Sequence, residues 1–237
     1  REMLMPRVLI SSICALALAT ATTTAFAQSK KDNMVILPAA GMVAIEKDGK
    51  FAVISDNGRF LIQGVLYDTW TQKELKTLQE VKVAANYIPI DKANVGFEDL
   101  APMTVGTGDK AITMFSDPAC GYCKEVIAEA RSSLPEGYRL DVLMLPLLSD
   151  RSASRTKELH CAEDKAAAWK AGVQGDLTTP LAQKPEGACD VDVIGKRRIT
   201  AQFLGARNVP FLIRDDGLTR EGKPTEGLRA WIENNRI

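Results

Sequence analysis

The run Ile112-Thr113-Met114-Phe115-Ser116 ends in Asp117-Pro118-Ala119, and two cysteines, Cys120 and Cys123, follow three positions apart where a helix should begin. Beyond them Val126, Ile127 and Ala130 recur at helical spacing, so the segment reads as a strand, a proline turn and an amphipathic helix. The first N–H groups of a helix have no intrahelical partner and the positive end of its dipole lies among them. A thiolate on Cys120 is therefore favoured there. An unperturbed thiol with a pKa of about 8.5 is only a few per cent ionised at neutral pH, whereas one lowered to about 4–7 is half to fully ionised. Cys120 is the expected entry nucleophile, and Cys123, one turn along and facing inward, the resolving thiol. The competing reading of such a pair is half of a zinc site, which needs two further ligands. Cys161, Cys189 and the single histidine, His160, supply no second close pair. A static structural disulfide is the other alternative.

The ends bound the compartment. Arg1 and Arg7 precede an apolar run from Val8 to Ala21, and Ala25-Phe26-Ala27 precedes Gln28. This is the order of a cleavable leader over 1–27, cut near Ala27/Gln28. The run is short and rich in Ala and Thr for a membrane span, although a retained anchor is the alternative. Cys14 follows Ile13, where a lipid-attachment signal wants a small residue. Removing the leader leaves four cysteines, an even count that suits an oxidising compartment. They allow three connectivities. With Cys120–Cys123 as the local pair, Cys161 and Cys189 remain, as a structural bridge or as two buried thiols. Closing a loop of that length stabilises by roughly 3–4 kcal/mol in the chain-entropy model. The chain holds 30 basic and 30 acidic residues in 237 and no long basic run, so nucleic acid is excluded as a partner and other proteins are expected.

Ahead of the cysteines lies a β meander: Met42 to Lys47, Lys50 to Ser55 and Arg59 to Gln63, separated by Asp48-Gly49 and Asp56-Asn57-Gly58, both strong hairpin signals. Phe51, Val53, Phe60 and Ile62 share one alternation, Ile54 and Leu61 the other. Three such strands hold too little core to stand alone. A sheet apolar on both faces invites a second copy, with packing on its own C-terminal unit as the alternative. A helix is expected from Thr71 to about Ala85, then a connector to Gly108. After the cysteine-bearing helix come a strand over Tyr138 to Leu145, a helical segment over about 152–172, a helix from Asp192 to Leu204, a strand over Val209 to Arg214 and a terminal helix over Pro224 to Asn234. Pro210, opening a strand, reads as trans from its sequence alone.

These residues resemble the bacterial periplasmic protein-disulfide isomerases DsbC and DsbG. The likeness rests on Phe115-Ser116-Asp117 through Cys120-Gly121-Tyr122-Cys123, on His160-Cys161-Ala162-Glu163 and Ala188-Cys189-Asp190, and on Gly64-Val65-Leu66-Tyr67-Asp68. It implies an α+β chain with a small N-terminal antiparallel β dimerisation domain (28–70), a linker helix and connector (71–108) and a C-terminal thioredoxin-like α/β domain with a helical insertion (109–237). It implies catalytic Cys120 and Cys123, a structural disulfide between Cys161 and Cys189, and substrate contacts from Gly121, Tyr122, Val209 and Pro210, the last in a cis bond. It further implies a periplasmic homodimer acting on misfolded exported proteins, re-reduced by a membrane reductase of the DsbD type, with no cofactor and no metal. Two departures stand out. The segment before the meander is short, and Val209 occupies the position where the isomerases usually carry Thr and the oxidase DsbA carries Val. A dithiol oxidase is therefore the main alternative, followed by a non-catalytic chaperone and a metal carrier. Asp117 and Lys124 are the nearby candidates for moving protons to Cys123.

Overall fold

Apolar alternation builds the N-terminal sheet. The computed structural model describes residues 33–39, 41–47 and 49–234; the expected leader and Asp48 lie outside them. Strands β1 (Met34–Ile36), β2 (Met42–Lys47), β3 (Lys50–Ser55) and β4 (Leu61–Gln63) pair antiparallel in that order. Val53 faces Ile62 and Ile54 faces Leu61, as the alternation requires. Gly49 at φ +71° and Gly58 at φ +72° take the left-handed conformations of the two hairpins. β1 is a strand absent from the sequence reading, because three residues are too few to show a period. Ala44 and Val53 face inward with Leu37, Leu75, Leu78 and Val81, whereas Phe60, Leu61, Ile62 and Val65 on and beside the β4 edge are exposed.

A hairpin of β5 (Leu66–Asp68) and β6 (Lys73–Leu75) follows. Its turn is organised by Asp68, whose carboxylate accepts from the Trp70 and Thr71 N–H groups and the Thr71 hydroxyl. The expected helix from Thr71 begins only at α1 (Leu78–Ala85). Thr77 caps it and Glu80 reaches back to the Thr77 N–H at 3.0 Å, a reciprocal capping box that fixes the start. The connector then makes a short helix, α2 (Ile90–Ala93), and a 3₁₀ turn at Glu98–Leu100.

The larger sheet takes one strand from that connector. β7 (Met103–Gly106) pairs antiparallel with β9 (Tyr138–Met144), so the thioredoxin-like sheet starts ahead of residue 109. β8 (Lys110–Ser116) runs parallel to β9, joined through α3 (Gly121–Ser133); β10 (Phe211–Ile213) and β11 (Thr219–Glu221) complete the order β11-β10-β8-β9-β7. Alternation in β8 sends Ile112 and Met114 to α3 and the terminal helix α7 (Leu228–Glu233), and Phe115 to the opposite face, the pattern of a sheet covered on both sides. The helical insertion divides in two. α4 (Asp150–Cys161) stops at Ala162, and α5 (Lys165–Gln174) restarts from Asp164, whose carboxylate accepts the Ala166 and Ala167 N–H groups. α6 (Asp192–Phe203) packs on the second face. Buried Arg197 on α6 donates to the Leu100, Ala101 and Met144 carbonyls, and burial lowers its pKa to about 10. The N-terminal unit also touches the C-terminal one: Arg207 donates to the Leu37 and Ala39 carbonyls, and the Trp70 ring packs against Phe203 in a tilted arrangement with centroids 5.2 Å apart. Among the described residues no helix is long and apolar enough to cross a membrane.

Candidate active site

β8 ends at Ser116 and the chain must turn before α3. Asp117 makes that turn. One carboxylate oxygen accepts from the Ala119 N–H at 2.7 Å and the Ser152 hydroxyl at 2.7 Å. The other accepts from the N–H groups of Leu147 and Leu148 at 2.8 and 2.9 Å. Its backbone carbonyl receives the Cys120 N–H at 3.0 Å. The side chain is buried with four donors, which suits a buried polar group. Lys124, the other candidate, lays its stem over Gly175 at the end of α5: a Cβ at Gly175 would fall 2.1 Å from Lys124 Cε.

Cys120 is the N-cap of α3 and its Sγ accepts the Cys123 N–H at 3.1 Å. The two sulfurs are joined in a disulfide. Both cysteines are buried while Tyr122 between them is 66% exposed and the space beside the Gly121 Cα is open. The capping position aims the free N–H groups of a long helix at Cys120, so the reduced pair favours a thiolate on this sulfur. The Val209 carbonyl oxygen lies 3.7 Å from Cys120 Sγ, and the Val209–Pro210 peptide bond is cis. The loop before β10 therefore brings its backbone against the outer cysteine, from 89 residues away. Of the four expected substrate-contact residues, Val209 is the one whose backbone reaches the sulfur; Gly121 and Tyr122 lie between the cysteines and Pro210 follows Val209 across the cis bond.

Cys161 and Cys189 lie elsewhere, joined in the second disulfide. This bond pins the end of α4 to the loop ahead of α6. His160 beside it has its Nε2 2.8 Å from the Asp190 carbonyl oxygen, and Arg197 lies 3.3 Å from Nδ1. Burial lowers the imidazole pKa, and the neighbouring Arg197 and Lys165 charges act in the same direction. With its ring engaged and Cys161 oxidised, this pair is not arranged as metal ligands. The sequence did not reveal the Asp117 network, whose donors come from segments up to 35 residues away.

A cysteine pair on a helix N-terminus, faced by a cis-proline loop and mounted on this sheet, defines a thioredoxin-like thiol–disulfide oxidoreductase. No family model matches the chain. Among curated proteins it is 22% identical over 202 residues to the thiol:disulfide interchange protein DsbC of Dickeya dadantii, covering 84% of this chain and 79% of that one. The DsbC of Escherichia coli K12 is 23% identical over 210 residues, covering 87% and 83%. A probable DsbC of Bordetella parapertussis is 27% identical over 172 residues, or 72% of this chain and 57% of that protein. Among solved structures, a disulfide interchange protein from Neisseria gonorrhoeae aligns over 60% of this chain and 99% of its own, with a TM-score of 0.48 and 22% identity. The chain is a homologue of the DsbC thiol:disulfide interchange proteins.

Proposed function

We propose that this protein rearranges and reduces incorrect disulfides in exported proteins. The observation that carries the reading is Cys120 as the cap of α3, with the Cys123 N–H on its sulfur and the Val209 carbonyl beside it. In the reduced pair the Cys120 thiolate attacks one sulfur of a substrate disulfide. A new S–S bond forms and the other substrate sulfur leaves as a thiolate. A different thiolate of the same substrate can attack the substrate sulfur of the mixed disulfide, return Cys120 as a thiolate and leave the substrate rearranged with no net redox change. Alternatively Cys123, deprotonated, attacks Cys120 Sγ; the substrate then leaves with both thiols and the pair is oxidised, as in this structure. Two electrons must then come from a dithiol donor, a role suited to a membrane reductase of the DsbD type.

Val209 and Pro210 offer backbone to an extended substrate segment, while Gly121 and Tyr122 flank the sulfur. Cys161–Cys189 acts as a structural bridge. Residues 28–70 serve as the dimerisation domain, residues 71–108 as its linker, whose end lends β7 to the larger sheet, and residues 109–237 as the rest of the catalytic domain. The exposed Phe60, Leu61 and Ile62 at the β4 edge support a homodimer, because an unpaired apolar edge is a template for a second chain. The leader over 1–27 directs the chain to the periplasm. Val209 favours a second reading, a dithiol oxidase, which is the same exchange in reverse. Light scattering on leader-free protein, with refolding of scrambled ribonuclease, tests the choice. A dimer that rescues the scrambled form supports the isomerase; a monomer that oxidises reduced ribonuclease and rescues nothing overturns it.

A further inference from the structure

The loop between α6 and β10 is tied down on more than one side. Asn208 donates to the Glu221 carboxylate on β11, and the Pro210 carbonyl accepts the Gly222 N–H at 2.8 Å. These two contacts keep the loop on its own sheet. A third reaches the N-terminal unit. The Arg207 guanidinium donates to the Leu37 carbonyl and, at 2.9 Å, to the Ala39 carbonyl. Both carbonyls belong to the turn between β1 and β2, which the small sheet holds in place: the Leu37 N–H donates to the Met42 carbonyl at 3.0 Å. Gly205 lets the two backbones approach, since a Cβ on it would fall 2.6 Å from Pro38 Cβ. Packing does not fill the space beside this contact. A cavity of about 560 Å³ opens there, with Leu37, Trp70, Leu75, Phe203 and Arg207 in its lining. Atoms lining a void have no partners across it, so the guanidinium carries more of the register between turn and loop. Arg207 is itself exposed and belongs to neither core. Two residues further on, the Val209 carbonyl lies 3.7 Å from Cys120 Sγ.

On the exchange reading of the Cys120–Cys123 pair, on which this inference rests, we propose that Arg207 is a positioning residue. By gripping the β1–β2 turn it makes the N-terminal sheet a brace for the loop that sets the Val209 backbone against Cys120. A bare disulfide needs only the Cys120 sulfur. An extended polypeptide also needs the Val209 and Pro210 backbone already in place, so the brace acts on polypeptide substrates and hardly on small ones.

The test compares hydroxyethyl disulfide, which has no peptide backbone, with a synthetic peptide disulfide that extends on both sides of its cysteine. The protein is reduced beforehand with dithiothreitol, freed of it and mixed with each disulfide. Cys120 and Cys123 then give up two electrons and become the disulfide, while the substrate leaves as two thiols. The quantity read is the ratio of second-order rate constants, peptide over hydroxyethyl disulfide, in which any loss of folded protein cancels. Arg207→Met keeps the stem and removes the donors, and is expected to lower the ratio about fivefold, or by about 1 kcal/mol. Arg207→Lys keeps a donor for the turn and is expected to recover part or all of the loss. An unchanged or higher ratio in Arg207→Met, including a proportional fall of both constants, overturns the positioning role and leaves the exchange reading intact. A Lys variant no better than the Met one overturns it too, because the loss then does not follow the carbonyl contact. Reduction of neither disulfide by wild type overturns the exchange reading itself.

Discussion

The two disulfides sit at opposite ends of helices. Cys120 caps the start of α3, where free N–H groups and the positive dipole end favour a thiolate. Cys161 is the last residue of α4, where free carbonyls and the negative end disfavour one. The loops differ as well. One bond spans a separation of 3, the other of 28, and only the longer constrains the unfolded chain strongly. Their surroundings follow suit: the Val209 carbonyl and an exposed Tyr122 lie beside the first, whereas the second ties the end of α4 to the loop ahead of α6. The same covalent bond is expected to serve exchange at one helix end and restraint at the other.

Substitution separates the two roles. Cys120→Ser should lower scrambled-ribonuclease refolding to the uncatalysed rate; a variant that still refolds at a comparable rate places the chemistry elsewhere. Cys161→Ser with Cys189→Ser should keep exchange but lower the unfolding free energy by roughly 3–4 kcal/mol in denaturant titrations. An unchanged midpoint would remove the restraining role. Next in size is Arg197→Met, which removes the guanidinium donor from the Leu100, Met144 and Ala101 carbonyls, the first two on buried residues, and should cost about 2–4 kcal/mol in the same titration.

The smallest effect is in pH. Burial depresses the His160 pKa in the folded chain, so the unfolded state binds this proton more readily. The stability it contributes is complete above the unfolded value of about 6.5 and declines as pH falls below it. The unfolding midpoint of the wild type should drop between pH 6.5 and 5, and His160→Gln should flatten that slope. Equal slopes for the two proteins would assign the pH dependence to other groups.

Much of this was legible in the sequence, and the gaps have physical causes. Hairpins turned by Asn-Gly and Asp-Gly carry their own signal, as does a helix that begins at Cys120. β7 and β1 are short and gain their identity only from the strands they pair with. The helix expected from Thr71 starts late because Asp68 claims Trp70 and Thr71 for a turn and Thr77 with Glu80 makes the box. The insertion splits because Asp164 caps a second helix. For Asp117 the sequence showed a carboxylate beside two cysteines, which suggests proton transfer. Its four donors come from segments up to 35 residues away, and no local pattern encodes them.

The most direct test of the contrast is a glutathione redox titration of the oxidised protein with free thiols trapped and located by mass spectrometry. Cys120 and Cys123 are expected to be labelled together at mild reducing poise while Cys161 and Cys189 stay unlabelled until the protein unfolds. Labelling of all four cysteines in one transition, or of Cys161 and Cys189 first, would contradict it.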